Sequence, residues 1–166
     1  MPSNIITYTD ISASQAAWGN AVIAIGNAYG TASDWNAASA SADAVLTTAY
    51  NYDSGRVLFR PTLTAIPHTF RNSKESAHSY FVSGAYDAYG FATENQWQNV
   101  KFESMSYQYF GNLAFSQGYV NFSGSLTGSF TTASSGVTVD KTFGYVKDDS
   151  GSVKIFLHYS AITNYD

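Results

Sequence analysis

From Ile11 to Tyr29 the apolar positions Ile11, Ala17, Trp18, Ala21, Val22, Ile25 and Tyr29 recur at threes and fours, the spacing that gathers side chains on one face of a helix. Ser12 or Ser14 offers a cap for its start, and Gly30 offers an end. A second run, Ala32 to Tyr50, is rich in Ala and aligns Trp35, Ala38, Ala42, Val45, Leu46 and Ala49. Thr31 and Ser33 are its cap candidates. The first fifty residues therefore predict a helical hairpin.

The turn cluster Asn51 to Gly55 separates that hairpin from Val57-Leu58-Phe59, which begins a strand that Pro61 must end or bend. Asn72 to Tyr80 predicts a short helix opened by Asn72 or Ser73, with His78 and Tyr80 near its end. Beyond Trp97 the period becomes 2. Val100 to Tyr109, Leu113 to Ser123, Val137 to Val146 and Val153 to Ser160 read as strands, punctuated at Gly111-Asn112, Gly124 to Gly136 and Asp148 to Gly151. The Ser/Gly/Thr-rich stretch from Ser123 to Gly136 reads as a long hairpin. Helices followed by an antiparallel meander imply an α+β fold with the helices packed on one sheet face. At 166 residues, one domain spanning 1–166 is expected.

Composition narrows the chemistry. Aromatic residues make up 16% and charged residues 12%, which fits an aromatic-rich sheet protein and opposes disorder. A net charge of −4 with eight scattered Lys and Arg residues offers no basic stripe for nucleic acid. The absence of Cys excludes thiolate catalysis and Cys-type zinc sites. No run of 18 apolar residues predicts a membrane span, and Met1 to Asp10 lacks the basic and apolar blocks of a signal peptide.

Among candidate catalytic groups, His158 alone sits in a strand pattern. Alternation places Ile155, Leu157 and Tyr159 on one face and Phe156, His158 and Ser160 on the other. A hydrogen-bonded sheet histidine and a catalytic one both fit that pattern. His68, His78 and His158 lack the spacing of a zinc site. No G-x-S-x-G elbow and no P-loop or dinucleotide fingerprint occurs. Tyr29, Tyr50, Tyr80, Phe81, Trp97 and Phe102 either fill the core or line a cavity.

The run Tyr50 to Thr62, followed by Ser79-Tyr80-Phe81-Val82-Ser83-Gly84, Gly90-Phe91-Ala92, Trp97 to Glu103, Thr142-Phe143-Gly144-Tyr145 and Leu157-His158-Tyr159-Ser160, resembles the iota class of carbonic anhydrases. The likeness extends from about Trp18 to Ala161. It implies a cystatin-like, NTF2-like cone of the SnoaL-like superfamily, a homodimer packed through the sheets, and reversible hydration of carbon dioxide to bicarbonate with neither metal nor cofactor. Members are often exported or sent to plastids, which implies a mature chain whose leader has been removed, although no address is visible here.

By the same resemblance, the Thr of the family's Lys/Arg-Pro-Thr motif falls on Thr62 and the Tyr of its Ser-Tyr-Phe motif on Tyr80. The His-His-Ser-Ser motif aligns with His158, Tyr159, Ser160 and Ala161, departing at the second His and the second Ser. Strand alternation puts both departures on one face, opposite His158 and Ser160. The expected catalytic set is thus Thr62, Tyr80, His158 and Ser160. The hydroxyls would hold water and bicarbonate, while His158, with an ordinary pKa of about 6.5, would move the proton. Two other readings compete: a degenerate NTF2-like binding or oligomerisation module, favoured by the altered motif, and an isomerase or dehydratase using a buried carboxylate with His. A large apolar cavity with a deep carboxylate would favour the latter, and a small polar pocket around Tyr80 would favour bicarbonate.

Overall fold

The computed structural model describes residues 4–87, 89–124 and 136–162. Helix α1 spans Tyr8–Tyr29 and α2 Trp35–Ala49. The first begins before its apolar stripe. Thr7, rather than Ser12 or Ser14, is the N-cap: its hydroxyl accepts from the Asp10 backbone N–H at 3.3 Å, and the Asp10 carboxylate accepts from the Thr7 N–H at 2.8 Å. This reciprocal box satisfies two otherwise orphaned donors. Gly30 ends α1 at φ 54, a conformation that favours glycine. Asp34, not Thr31 or Ser33, caps α2 by accepting from the Ala37 N–H at 3.0 Å.

Strand β1 (Leu58–Arg60) stops at Pro61, as expected, and α3 (Lys74–Val82) starts from the expected cap Ser73. A further helix, α4 (Phe91–Asn95), leaves no pattern in the sequence, because five residues are too few to write a helical stripe. The meander β2 (Asn99–Phe110), β3 (Leu113–Ser123), β4 (Val137–Lys147) and β5 (Val153–Ile162) is antiparallel throughout. Pairing of Phe122 with Val137 joins β3 and β4 as neighbours. The expected hairpin tip, residues 125–135, lies outside the described residues.

The sheet order is β1-β5-β4-β3-β2, and β1 lies parallel to β5. The last strand is therefore an interior strand. Trp18 of α1 organises the core on the helix-covered face, its ring edge-on to Phe102, Phe122 and Phe143 from β2, β3 and β4 and to His158 of β5. Such contacts add to the large area that aromatic side chains bury. Phe81 and Trp97 join this core.

Alternation along β5 departs from expectation at one place. A register shift between Gly144 and Tyr145 inserts an extra residue opposite β4. Ile155 then falls on the core face with His158 and Ser160, where it is buried, while Phe156 meets Phe115 on the outer face with ring centroids 5.8 Å apart. Among the described residues, no helix is long and apolar enough to cross a membrane.

Candidate active site

Pairing of β1 with β5 sets Phe59 beside His158 and Arg60 beside Tyr159. Pro61 then turns the chain across the end of β5. Thr62 follows, and its hydroxyl shares a direct hydrogen bond with the buried Ser160 hydroxyl, in which either oxygen can be the donor. Arg60 fixes the same residue from its backbone side, Nη1 donating to the Ser160 carbonyl. Its guanidinium also lies 5.5 Å from the Tyr159 ring centroid.

Tyr80 approaches from α3, whose last turn is buried. Its ring stacks on Phe91 of α4 at 5.4 Å and 12°, and meets Phe59 edge-on. Burial pushes the phenol's pKa well above its ordinary value, and the Leu63 backbone N–H, which the hydroxyl accepts from, opposes that only in part. Tyr80 is thus a neutral donor. Leu63 follows Thr62 directly, so the Tyr80 hydroxyl and the Thr62–Ser160 pair are held at adjoining backbone positions. Beside them opens a cavity of about 440 Å³ bordered by Tyr80, Leu63 and Thr64.

His158 stands behind this group. It is 2% exposed and stacks on Phe59 with centroids 4.4 Å apart at 17°. Nδ1 lies 2.8 Å from the Tyr50 hydroxyl, which also accepts from Trp18 Nε1 at 2.8 Å. Nε2 lies 3.0 Å from Lys141 Nζ. Burial, reinforced by the Lys141 charge, holds the imidazole pKa well below its ordinary value. The proton-moving role expected from a solution-like pKa therefore does not fit. Both nitrogens are engaged inside the core, and the ring is neutral.

Lys141 is the residue that sequence reasoning missed. Its pKa is lowered to about 7 by desolvation, and its Nζ lies 4.9 Å from the Trp18 ring centroid, with Phe122 and Phe143 near it too. The period-2 pattern held the signal, because Lys141 alternates with Val139 and Phe143 on the core face. Its state sets the direction of the whole chain of hydrogen bonds. As an amine, Lys141 accepts from Nε2–H, Tyr50 donates to Nδ1, Trp18 donates to Tyr50, and each of these donors is satisfied. As an ammonium it only donates, the ring proton moves to Nδ1, and the Tyr50 O–H loses its acceptor.

The altered motif positions lie elsewhere. Tyr159 is 46% exposed, and strand alternation puts Ala161 on the same outer face. Thr62, Tyr80 and Ser160 are thus brought together, His158 supports them from the core, and both departures face outward. Among the described residues, no three His, Asp or Glu side chains are grouped to hold a metal ion.

A layer of helices over a curved meander with its site at one end defines the cystatin-like, NTF2-like class. A solved NTF2-like protein with a cystatin-like fold from Novosphingobium aromaticivorans superposes with a TM-score of 0.60 at 9% identity, covering 95% of this chain and 82% of that one. The family described as metal-independent carbonic anhydrase matches residues 9–162, and the chain belongs to that family. A metal-independent carbonic anhydrase from Nostoc sp. (strain PCC 7120) is 36% identical over 161 residues, 95% of this chain and 74% of the relative. The crystal structure of a cyanobacterial iota-carbonic anhydrase complexed with bicarbonate superposes with a TM-score of 0.87 at 33% identity, covering 100% of this chain and 98% of that one.

Proposed function

We propose that the protein catalyses reversible hydration of carbon dioxide to bicarbonate without a metal, with Thr62, Tyr80 and Ser160 as the residues that touch the reactants. The observation that carries this assignment is the direct Thr62–Ser160 hydroxyl bond beside the Leu63-anchored phenol of Tyr80. Water held at the hydroxyl pair attacks carbon dioxide, and Tyr80 donates to an oxygen on which negative charge builds. The carbon–oxygen bond forms, bicarbonate is released, and the surplus proton passes through the Ser160 and Thr62 hydroxyls to solvent in the adjoining cavity. Because either hydroxyl can donate, the same pair serves the reverse reaction.

His158 is a positioning residue in this scheme. It packs against Phe59, anchors the strand that carries Ser160 and keeps its proton inside the core. The altered motif does not argue for a degenerate module, since Tyr159 and Ala161 face away from the hydroxyl pair. A carboxylate-based isomerase is disfavoured as well, because Asp87, one of the two carboxylates on the cavity wall with Glu94, is committed to Arg71 and Ser79.

A homodimer packed through the outer sheet faces accompanies this reading. Phe115, Phe156 and Leu157 close over Gly144 there, and Tyr119 and Tyr159 stand exposed, an apolar surface of the kind that marks interfaces. Mass measurement by light scattering decides it: a monomer at micromolar concentration removes the proposal.

Stopped-flow hydration with and without a strong chelator tests the activity. Activity that survives chelation and falls in Ser160→Ala supports the assignment. An inactive wild type, or full activity in Ser160→Ala, defeats it.

A further inference from the structure

The hydration scheme leaves one proton without a final acceptor on the protein. Forming bicarbonate from water and carbon dioxide releases it at the Thr62 and Ser160 hydroxyls, which relay a proton but do not keep it. His158 is closed to it, since both ring nitrogens are engaged in the core. An acceptor on the protein must therefore face the cavity.

One loop joins the hydroxyl pair to that cavity. Thr62 meets Ser160, and the next residue, Leu63, gives its backbone N–H to the Tyr80 hydroxyl. The Thr64 hydroxyl then donates to the Thr69 carbonyl at 2.9 Å, which folds the segment back on itself. This return brings His68 onto the wall of the cavity that Leu63, Thr64 and Tyr80 border. The imidazole is exposed and meets the Tyr86 ring edge-on, with centroids 5.2 Å apart at 77°. That ring contact orients it, and neither nitrogen has a hydrogen-bond partner among the described residues. Both are open to water.

The other ionisable groups on the wall suit the task less. Arg71 stays charged, and Asp87 is held by Arg71 and Ser79. Carboxylates as a class are too acidic, and phenols too weakly acidic, to load and unload a proton near neutrality, whereas an imidazole does both.

We propose that His68 is the proton-relay residue of the reaction, a role that rests on the hydration reading and adds a residue to it. In the forward direction an O–H bond of the attacking water breaks as its oxygen bonds to carbon. The proton crosses the two hydroxyls and cavity water to a ring nitrogen of neutral His68, and the imidazolium then gives it to a buffer base outside. The reverse reaction runs through the same steps, with the imidazolium as the acid.

Stopped-flow hydration in a dilute, bulky buffer and in concentrated imidazole tests it. His68→Gln keeps a polar side chain of similar size that carries no titrating proton. In the bulky buffer its kcat is expected to fall at least about tenfold, below the roughly 10²–10⁴ that a positioned proton-transfer group contributes. Its kcat/KM should stay within about twofold of wild type, as for an exposed residue outside the bond-making step. Imidazole is expected to restore kcat, which a merely structural loss would not allow. Undiminished kcat in the bulky buffer, or a loss that imidazole leaves in place, overturns the relay. Ser160→Ala separates the two readings, since its loss falls on kcat/KM in both buffers. A wild type inactive in both removes the hydration reading and the relay with it, whereas an active wild type beside an undiminished His68→Gln removes the relay alone.

Discussion

Lys141 Nζ and His158 Nε2 lie 3.0 Å apart in the core, and among the described residues no carboxylate pairs with the lysine. His158 and the rings of Trp18, Phe122 and Phe143 are what face it. Its folded pKa, about 7, is far below the unfolded value near 10.4. Between those two values the unfolded chain binds the extra proton, so stability must rise with pH. We expect denaturant midpoints to climb from about pH 7 to about pH 9.5, below the range in which unfolded tyrosines ionise. Lys141→Met should flatten that climb. An equal slope in both proteins would rule out the buried lysine as its source.

Below neutrality His158 governs. Its folded pKa is lowered by burial and by Lys141, so the unfolded state takes up the proton first and stability falls as pH drops below about 6.5. His158→Gln, which retains polar atoms in the core, should remove this loss while lowering stability at pH 7. The check is a pH series of urea unfolding curves.

Tyr80→Phe deletes one donor and no volume. The loss of hydration activity should be about 10²-fold, the scale of a single transition-state donor. Because burial keeps the phenol protonated, that factor should be the same across roughly pH 6–9. A loss confined to high pH would mean that Tyr80 acts as a base.

Restoring the family motif with Tyr159→His and Ala161→Ser should change kcat/KM by less than about threefold, as for surface substitutions within about 0.5 kcal/mol. A gain of a hundredfold would place chemistry on the outer sheet face and contradict the assignment.

Close packing offers a structural check. A Cβ on Gly26 would come within 2.8 Å of the Gln96 backbone and 3.0 Å of the Ala92 carbonyl, where α1 meets α4. Gly26→Ala should destabilise the protein by about 1–3 kcal/mol, measured by chemical denaturation.

Much of this was legible in the chain. Trp18, Val22 and Ile25 wrote α1, and β3 matches its predicted span residue for residue, because the period of buried side chains survives in both. The start of α1 was not legible: Tyr8 and Thr9 are exposed, so the first turn carries no stripe, and only the Thr7–Asp10 box marks it. The parallel partnership of β1 with β5 left no local trace, since three residues cannot name a partner about a hundred positions away. The motif positions pointed to Thr62, Tyr80 and Ser160, the residues of the proposed site. The burial that neutralises His158 comes from Phe59, Trp18 and Lys141 on three other elements, and no reading of β5 alone contains it. Arg71 inverts the usual rule, lying buried next to an exposed Phe70.

The position of β5 between β1 and β4 also sets when the site can exist. Thr62 and Ser160 are 98 positions apart, and their strands become neighbours only after the final segment of sheet has inserted. During synthesis an emerging chain can form α1, α2 and the β2–β3 hairpin while the proposed hydroxyl pair is still unmade, since domains complete long-range pairings late. On the proposed site, activity reports on the closing step of folding, and a nascent chain stalled before Val153 would carry eight of the nine described elements and lack the hydroxyl pair.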